Sequence, residues 1–117
     1  MKKIVLIIDD ESELRTCICD SFEQLDFTVI QASNGFEALQ LIAGGQKIDL
    51  ILTDIDMPIK NGIDFLKEFR VRDRSTPVIV MTGGCKYTEA EVLKAGATVF
   101  LHKPIPKIDS IFKMLAA

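Results

Sequence analysis

Five short apolar runs punctuate the chain: Ile4 to Ile8, Thr28 to Ala32, Ile48 to Thr53, Pro77 to Met81 and Thr98 to Leu101. Each has the length of a strand and carries the β-branched or otherwise apolar residues that suit one. Between them the apolar spacing changes to a helical period. Leu14, Ile18, Phe22 and Leu25 recur at that spacing behind Ser12, the expected N-cap, with Asp26 at the far end. A second helix is predicted from Asn34, with Glu37 in capping-box register; Ala38, Leu39 and Ile42 point inward and Gly44-Gly45 ends it. A third starts near Asn61-Gly62 and presents Ile63, Leu66 and Phe69; a fourth runs from Thr88, paired with Glu91, to Gly96. The last carries Ile105, Ile108, Phe112 and Leu115 toward the C-terminus.

Strand and helix thus alternate five times, the pattern of an α/β domain with a parallel sheet, helices on both faces and right-handed crossovers. The unbroken apolar character of Ile4 to Ile8 agrees, because central parallel strands are buried on both sides. No repeat, low-complexity tract or linker divides the 117 residues, so residues 1–117 read as one domain.

Composition narrows the function classes. Hydrophobic residues make up 48% and charged residues 26%, a globular balance with no run near the ~18 apolar residues of a membrane span. The apolar stretch behind Met1-Lys2-Lys3 stops at Asp9-Asp10-Glu11, so it reads as a buried strand rather than a signal peptide. A soluble, cytoplasmic protein with no membrane partner is expected. The net charge of −3 and the absence of a Lys/Arg run argue against direct nucleic-acid binding. Cys17, Cys19 and Cys85 have neither metal-ligand nor disulfide spacing and read as reduced thiols.

In open parallel sheets, ligands bind beyond the carboxyl ends of the strands. There the sequence places Asp9 and Asp10 after the first strand, Asp54 at the third, Thr82 after the fourth and Lys103 after the fifth. Three carboxylates at one mouth repel one another unless a cation sits among them. Magnesium suits such a site, since it takes one or two carboxylates, keeps waters and accepts a phosphoryl oxygen. Lys103 supplies positive charge and Thr82 a hydroxyl donor, so the set fits phosphoryl transfer. Thr82-Gly83-Gly84 lacks the flanking pattern of a P-loop, and His102, the only histidine, reads as a solvent-facing strand-end residue.

Four pieces in order, the pair Asp9-Asp10, the segment Asp54-Ile55-Asp56-Met57-Pro58-Ile59-Lys60-Asn61-Gly62, Thr82, and Phe100-Leu101-His102-Lys103-Pro104, resemble the receiver domains of bacterial response regulators, including chemotaxis regulators. The resemblance covers essentially the whole chain. It implies a flavodoxin-like sheet of order 2-1-3-4-5, with Asp54 as phosphoacceptor for a sensor histidine kinase or phosphotransfer protein. It further implies Mg2+ held directly by Asp10 and Asp54, through water by Asp9, and by the main-chain carbonyl of Asp56. Lys103 would pair with the phosphoryl oxygens; Thr82 would move toward them and let Phe100 turn inward, re-presenting the surface of the fourth helix, fifth strand and fifth helix to a downstream partner or output domain. A cis Lys103–Pro104 bond and a monomer or phosphorylation-dependent dimer are also implied, as is slow hydrolysis of the acyl phosphate, tuned by Asp56 and Gly84, rather than turnover as an enzyme.

Two rival readings start from the same residues. Asp54-Ile55-Asp56 at a strand end suggests an aspartyl-phosphate hydrolase of the haloacid dehalogenase class, but Pro58 and the third-strand position of Asp54 speak against it. The other is a receiver-like interaction module that works without phosphorylation, which would be expected to lack one of the five site residues.

Overall fold

The computed structural model describes residues 2–84 and 86–116; Cys85 lies outside the described residues. Five strands, β1 (Ile4–Ile8), β2 (Thr28–Ala32), β3 (Leu50–Asp54), β4 (Val78–Thr82) and β5 (Val99–His102), alternate with α1 (Ser12–Gln24), α2 (Gly35–Ala43), α3 (Gly62–Arg72), α4 (Glu89–Ala95) and α5 (Ile108–Ala116). The strands form one parallel sheet of order β2-β1-β3-β4-β5, as the resemblance implies.

Alternate strand positions supply two apolar layers. Leu6, Ile8, Ile51, Val78, Val80 and Phe100 pack under α2, α3 and α4, against Ala38, Phe65, Leu66, Phe69 and Val92. Val5, Ile7, Leu52, Ile79, Met81 and Leu101 pack on the opposite face under α1 and α5, against Ile18, Phe22, Ile108 and Ile111. Because both faces are covered, β3 and β4 are buried along their whole length. Among the described residues, no helix is long and apolar enough to cross a membrane.

Three strands start later than the apolar runs suggest. Asp49, expected inside β3, spends its carboxylate on the Ile4 N–H at 2.8 Å while its own N–H donates to the Ile4 carbonyl at 2.8 Å, so it anchors the strand's entrance. Pro77 has no N–H to give a ladder; its carbonyl accepts from Ile51 at 3.0 Å. The shift brings Asp54 and Thr82 inside the last ladder positions, paired with Met81 and His102.

The helix ends differ in three places. Ser12 is the first residue of α1 rather than its cap; Glu11 holds the cap position without a side-chain bond, and its carbonyl accepts from Arg15 at 2.9 Å. Leu25, expected inward, is 41% exposed. The chain leaves α1 there through Asp26, whose φ of 66° suits an Asp in a turn, and Phe27 takes the inward place, 5.2 Å from the Phe22 ring and 5.5 Å from that of Phe112. Ile105 packs against the core ahead of α5 rather than within it.

The other caps form as expected, with one variation. Asn34 accepts from the Glu37 N–H, but the Glu37 carboxylate takes the Ser33 hydroxyl instead of returning the bond. Thr88 and Glu91 make the reciprocal capping box, and Gly96 at φ 120° lets the chain turn out of α4.

Candidate functional site

The carboxyl ends of β1, β3, β4 and β5 converge on one cluster. Asp9, just beyond β1, is fully buried and Asp54, the last residue of β3, is 4% exposed. Lys103 follows β5 and reaches both, its Nζ 3.2 Å from Asp54 Oδ2 and 3.5 Å from Asp9 Oδ2. The backbone positions each group. Asp9 N–H donates to the Ala32 carbonyl at 3.1 Å, and Lys103 N–H to the Thr82 carbonyl at 2.8 Å. Asp54 Oδ1 accepts from the Ile55 N–H at 2.8 Å, which leaves Oδ2 facing the lysine.

The loop after β3 closes tightly over the site. Gly62 N–H donates to the Ile55 carbonyl at 2.9 Å, and a Cβ on Gly62 would lie 2.1 Å from the Asp54 carbonyl oxygen, so only glycine fits. Ile59 in the same loop is 81% exposed and has a φ of 71°, a strained value for a β-branched residue. The Lys103–Pro104 bond is cis.

Burial pushes the Asp54 carboxyl above its usual range; Lys103 pulls it down and Asp9 pushes it up again, and the balance stays raised. Burial works against the charge on Lys103, but the Asp54 and Asp9 carboxylates outweigh it and hold the ammonium above its ordinary value. One cation therefore faces two buried carboxylates. Asp9 Oδ2 also has no hydrogen-bond partner, although a buried charged oxygen ordinarily acquires one.

Carboxylate oxygens of Asp9, Glu11 and Asp54 lie within 4.8 Å of one another. All are hard oxygen donors, one of them without a hydrogen bond, which is the donor chemistry a divalent Mg2+ or Ca2+ ion takes. Asp10 is exposed and stands outside this group, whereas its neighbour Glu11 lies within it. Glu11 and Arg15 are the residues missed by the sequence reading. Asp9 Oδ1 accepts from the Glu11 N–H at 2.9 Å, and the Arg15 guanidinium donates to the Asp9 carbonyl and, at 2.9 Å, to the Gln31 side chain. Their signal was present: Glu11 continues the acidic run, and Arg15 sits one helical turn later on the same face.

Thr82 is buried at the end of β4, its hydroxyl oxygen accepting from the Gly84 N–H at 3.1 Å. Asp56 is exposed, with its carboxylate leaning toward Gly84: a Cβ there would stand 3.9 Å from both Asp56 Oδ2 and Thr82 Oγ1. Phe100 points inward at 8% exposure, its ring 5.0 Å from that of His102. Cys19 is buried and its thiol is pushed up to about 11 by that burial, while Cys17 is exposed and free.

Residues 5–116 match the family model described as the response regulator receiver domain. The transcriptional regulatory protein CpxR of Escherichia coli K12 is 41% identical over 113 residues, which are 96% of this chain and 47% of that protein; the chain spans about half of this relative's length. Among solved structures, the chemotaxis response regulator CheY4 of Vibrio cholerae superposes with a TM-score of 0.87 at 26% identity, over 98% of this chain and all of that one. A response regulator from Burkholderia pseudomallei, solved with a phosphorylated aspartic acid, a calcium ion and citrate, gives 0.85 at 28% identity, over 97% of this chain and 66% of its own. Sheet order, strand-end acids and these likenesses agree: the chain belongs to the response regulator receiver family of two-component signalling.

Proposed function

We propose that Asp54 accepts a phosphoryl group from a phosphohistidine on a sensor histidine kinase or a phosphotransfer protein, in the cytoplasm. Asp54 Oδ2 attacks phosphorus as the P–N bond breaks; the imidazole keeps the bonding electron pair and takes up a proton, and an acyl phosphate forms. The observation that carries this reading is the buried Asp54 carboxylate, held 3.2 Å from Lys103 beside an Asp9 oxygen that shares the same lysine and has no hydrogen bond, at the sheet's carboxyl edge. The phosphorylated aspartic acid of the Burkholderia relative supports it by likeness.

Each residue has a role in that reaction. Lys103 balances the charge that builds on the phosphoryl oxygens, where positioning and electrostatics supply most of the rate. Thr82 has its oxygen engaged by Gly84 and its own proton available to a phosphoryl oxygen. Asp9, Asp10 and Asp54, with the main-chain carbonyl of Asp56, would hold Mg2+; Asp10 would join by turning its exposed side chain inward, next to Glu11. When bound, the ion would neutralise charge between the carboxylates and the incoming group.

Movement of Thr82 toward the phosphoryl group, coupled to Phe100, would bias the surface of α4, β5 and α5 toward a downstream partner or output domain. Residues 1–117 serve as one receiver domain in this reading. A role independent of phosphorylation is not favoured, because Asp9, Asp10, Asp54, Thr82 and Lys103 are all present. The test is chemical mapping. After incubation with acetyl phosphate, borohydride should reduce an acyl phosphate at Asp54 to homoserine, which peptide mass spectrometry locates; label at another residue would overturn the assignment.

A further inference from the structure

Sequence offers no unbroken run of basic residues, yet the fold collects four from two separated stretches. Lys67 and Arg70 on α3, Arg74 just beyond it and Lys94 in the last turn of α4 surround an open depression of about 530 Å³. Its floor is fixed by Arg70, which donates to the carbonyls of Gly96 at 2.9 Å, Thr76 at 2.8 Å and Asp73 at 3.2 Å. All three acceptors are neutral carbonyls. Among the described residues, none of the four cations makes an ion pair with a carboxylate. A chain of net charge −3 thus gathers four cations around one depression, with Asp73 acting on Arg70 only at longer range.

Cations near helix C-termini offset the helix dipole, which accounts for Arg70 and Lys94. Arg74, just past the end of α3, is covered by the same argument, but Lys67, in the middle of α3, is not. Nor does it explain the apolar surface beside them. Val71 borders the depression at 80% exposure, and a second depression of about 490 Å³ continues from Lys67 and Lys94 to Ile63 and Tyr87. The one acid there, Glu91, is engaged in the capping box with Thr88.

We propose that the groove between α3 and α4 docks an acidic segment of a protein partner, its carboxylates paired with Lys67, Arg74 and Lys94 and an apolar side chain laid against Val71. Charge complementarity selects an acidic ligand. The interleaved apolar surface favours a peptide over a nucleic acid, whose dense phosphates would also meet the chain's overall negative charge. The groove shares Lys94 of α4 with the α4, β5 and α5 face but lies apart from the phosphoryl site, and peptide binding to the unphosphorylated chain tests it without the phosphorylation reading.

The probe is a short fluorescent peptide of alternating Glu and Leu, titrated into the isotopically labelled full chain and followed by anisotropy and amide NMR shifts. Shifts confined to residues 62–74 and 89–98, with affinity falling as salt rises, are expected. Lys67→Glu with Lys94→Glu should weaken binding by roughly tenfold or more, while Lys107→Glu with Lys113→Glu on the α5 side should leave it unchanged. The milder Lys67→Gln and Arg74→Gln variants, checked for native circular dichroism, should each weaken it several-fold. Shifts elsewhere, equal binding by the double charge reversal, tighter binding of a single-stranded DNA oligomer at the same residues, or self-association of the chain through this groove would each overturn the proposal.

Discussion

Asp54, Thr82 and Lys103 could be located from sequence because each sits at a strand end, where the backbone alone decides which side chain reaches the sheet's carboxyl edge. Asp10 and Glu11 could not be ranked in the same way. They follow β1 in an irregular stretch, and the hydrogen bond from Glu11 N–H to Asp9 Oδ1 that orients them involves no periodicity. Ile59 is a further feature visible only in three dimensions. At φ 71° and 81% exposure it bears left-handed strain with little packing in return, so Ile59→Gly should stabilise the fold by about 1 kcal/mol. The midpoint of urea denaturation measures this, and a lowered midpoint would contradict the strain argument. Asp10 has its own test. If it joins the ion site, Asp10→Asn should remove most of the thermal stabilisation that magnesium gives; an unchanged response would exclude Asp10 as a ligand.

Among the elements, existence and type were legible and boundaries less so. The apolar runs locate five strands, but Asp49 and Pro77 show why the ladders begin later: one residue caps the entrance and the other cannot donate. The tight join between β3 and α3 shapes the site most directly. In Gly62→Ala the new methyl would fall 2.1 Å from the Asp54 carbonyl oxygen, so the loop must shift at a cost of about 3 kcal/mol or more. Urea denaturation should register that loss, together with weakened phosphoryl acceptance from the displaced Asp54. The far end of α3 makes a pH prediction. Asp73 accepts from the Thr76 hydroxyl, the Thr76 N–H and the Ser75 N–H, and these bonds hold its carboxyl below the usual value. A depressed carboxylate stabilises the folded state above its unfolded pKa of 3.8, and that contribution fades as pH falls through the lower folded value. Asp73→Ala should therefore cost about 1 kcal/mol near neutrality. The gap from the parent chain should narrow in denaturation curves taken below pH 4; a gap independent of pH would contradict this.

At the scale of the whole molecule, alternation predicted a parallel α/β domain, while the strand order came from resemblance, since alternation alone does not say which strand lies at an edge. The basic groove was illegible because Lys94 joins Lys67, Arg70 and Arg74 only when α3 and α4 pack side by side. The molecule's central feature is an excess of buried negative charge at one edge of the sheet, with Asp9 and Asp54 served by one lysine. Magnesium at about a hundredfold its dissociation constant should add about 2.7 kcal/mol to stability, raising the melting temperature by several degrees; no rise would contradict the divalent-ion assignment. The most direct measurement of the whole account is the intact mass of the chain after incubation with acetyl phosphate, with and without magnesium, beside an Asp54→Asn control. The account predicts a single phosphoryl adduct that requires magnesium and is absent from the control. An adduct that persists in Asp54→Asn, or no adduct from either acetyl phosphate or a phosphorylated histidine kinase, would contradict it.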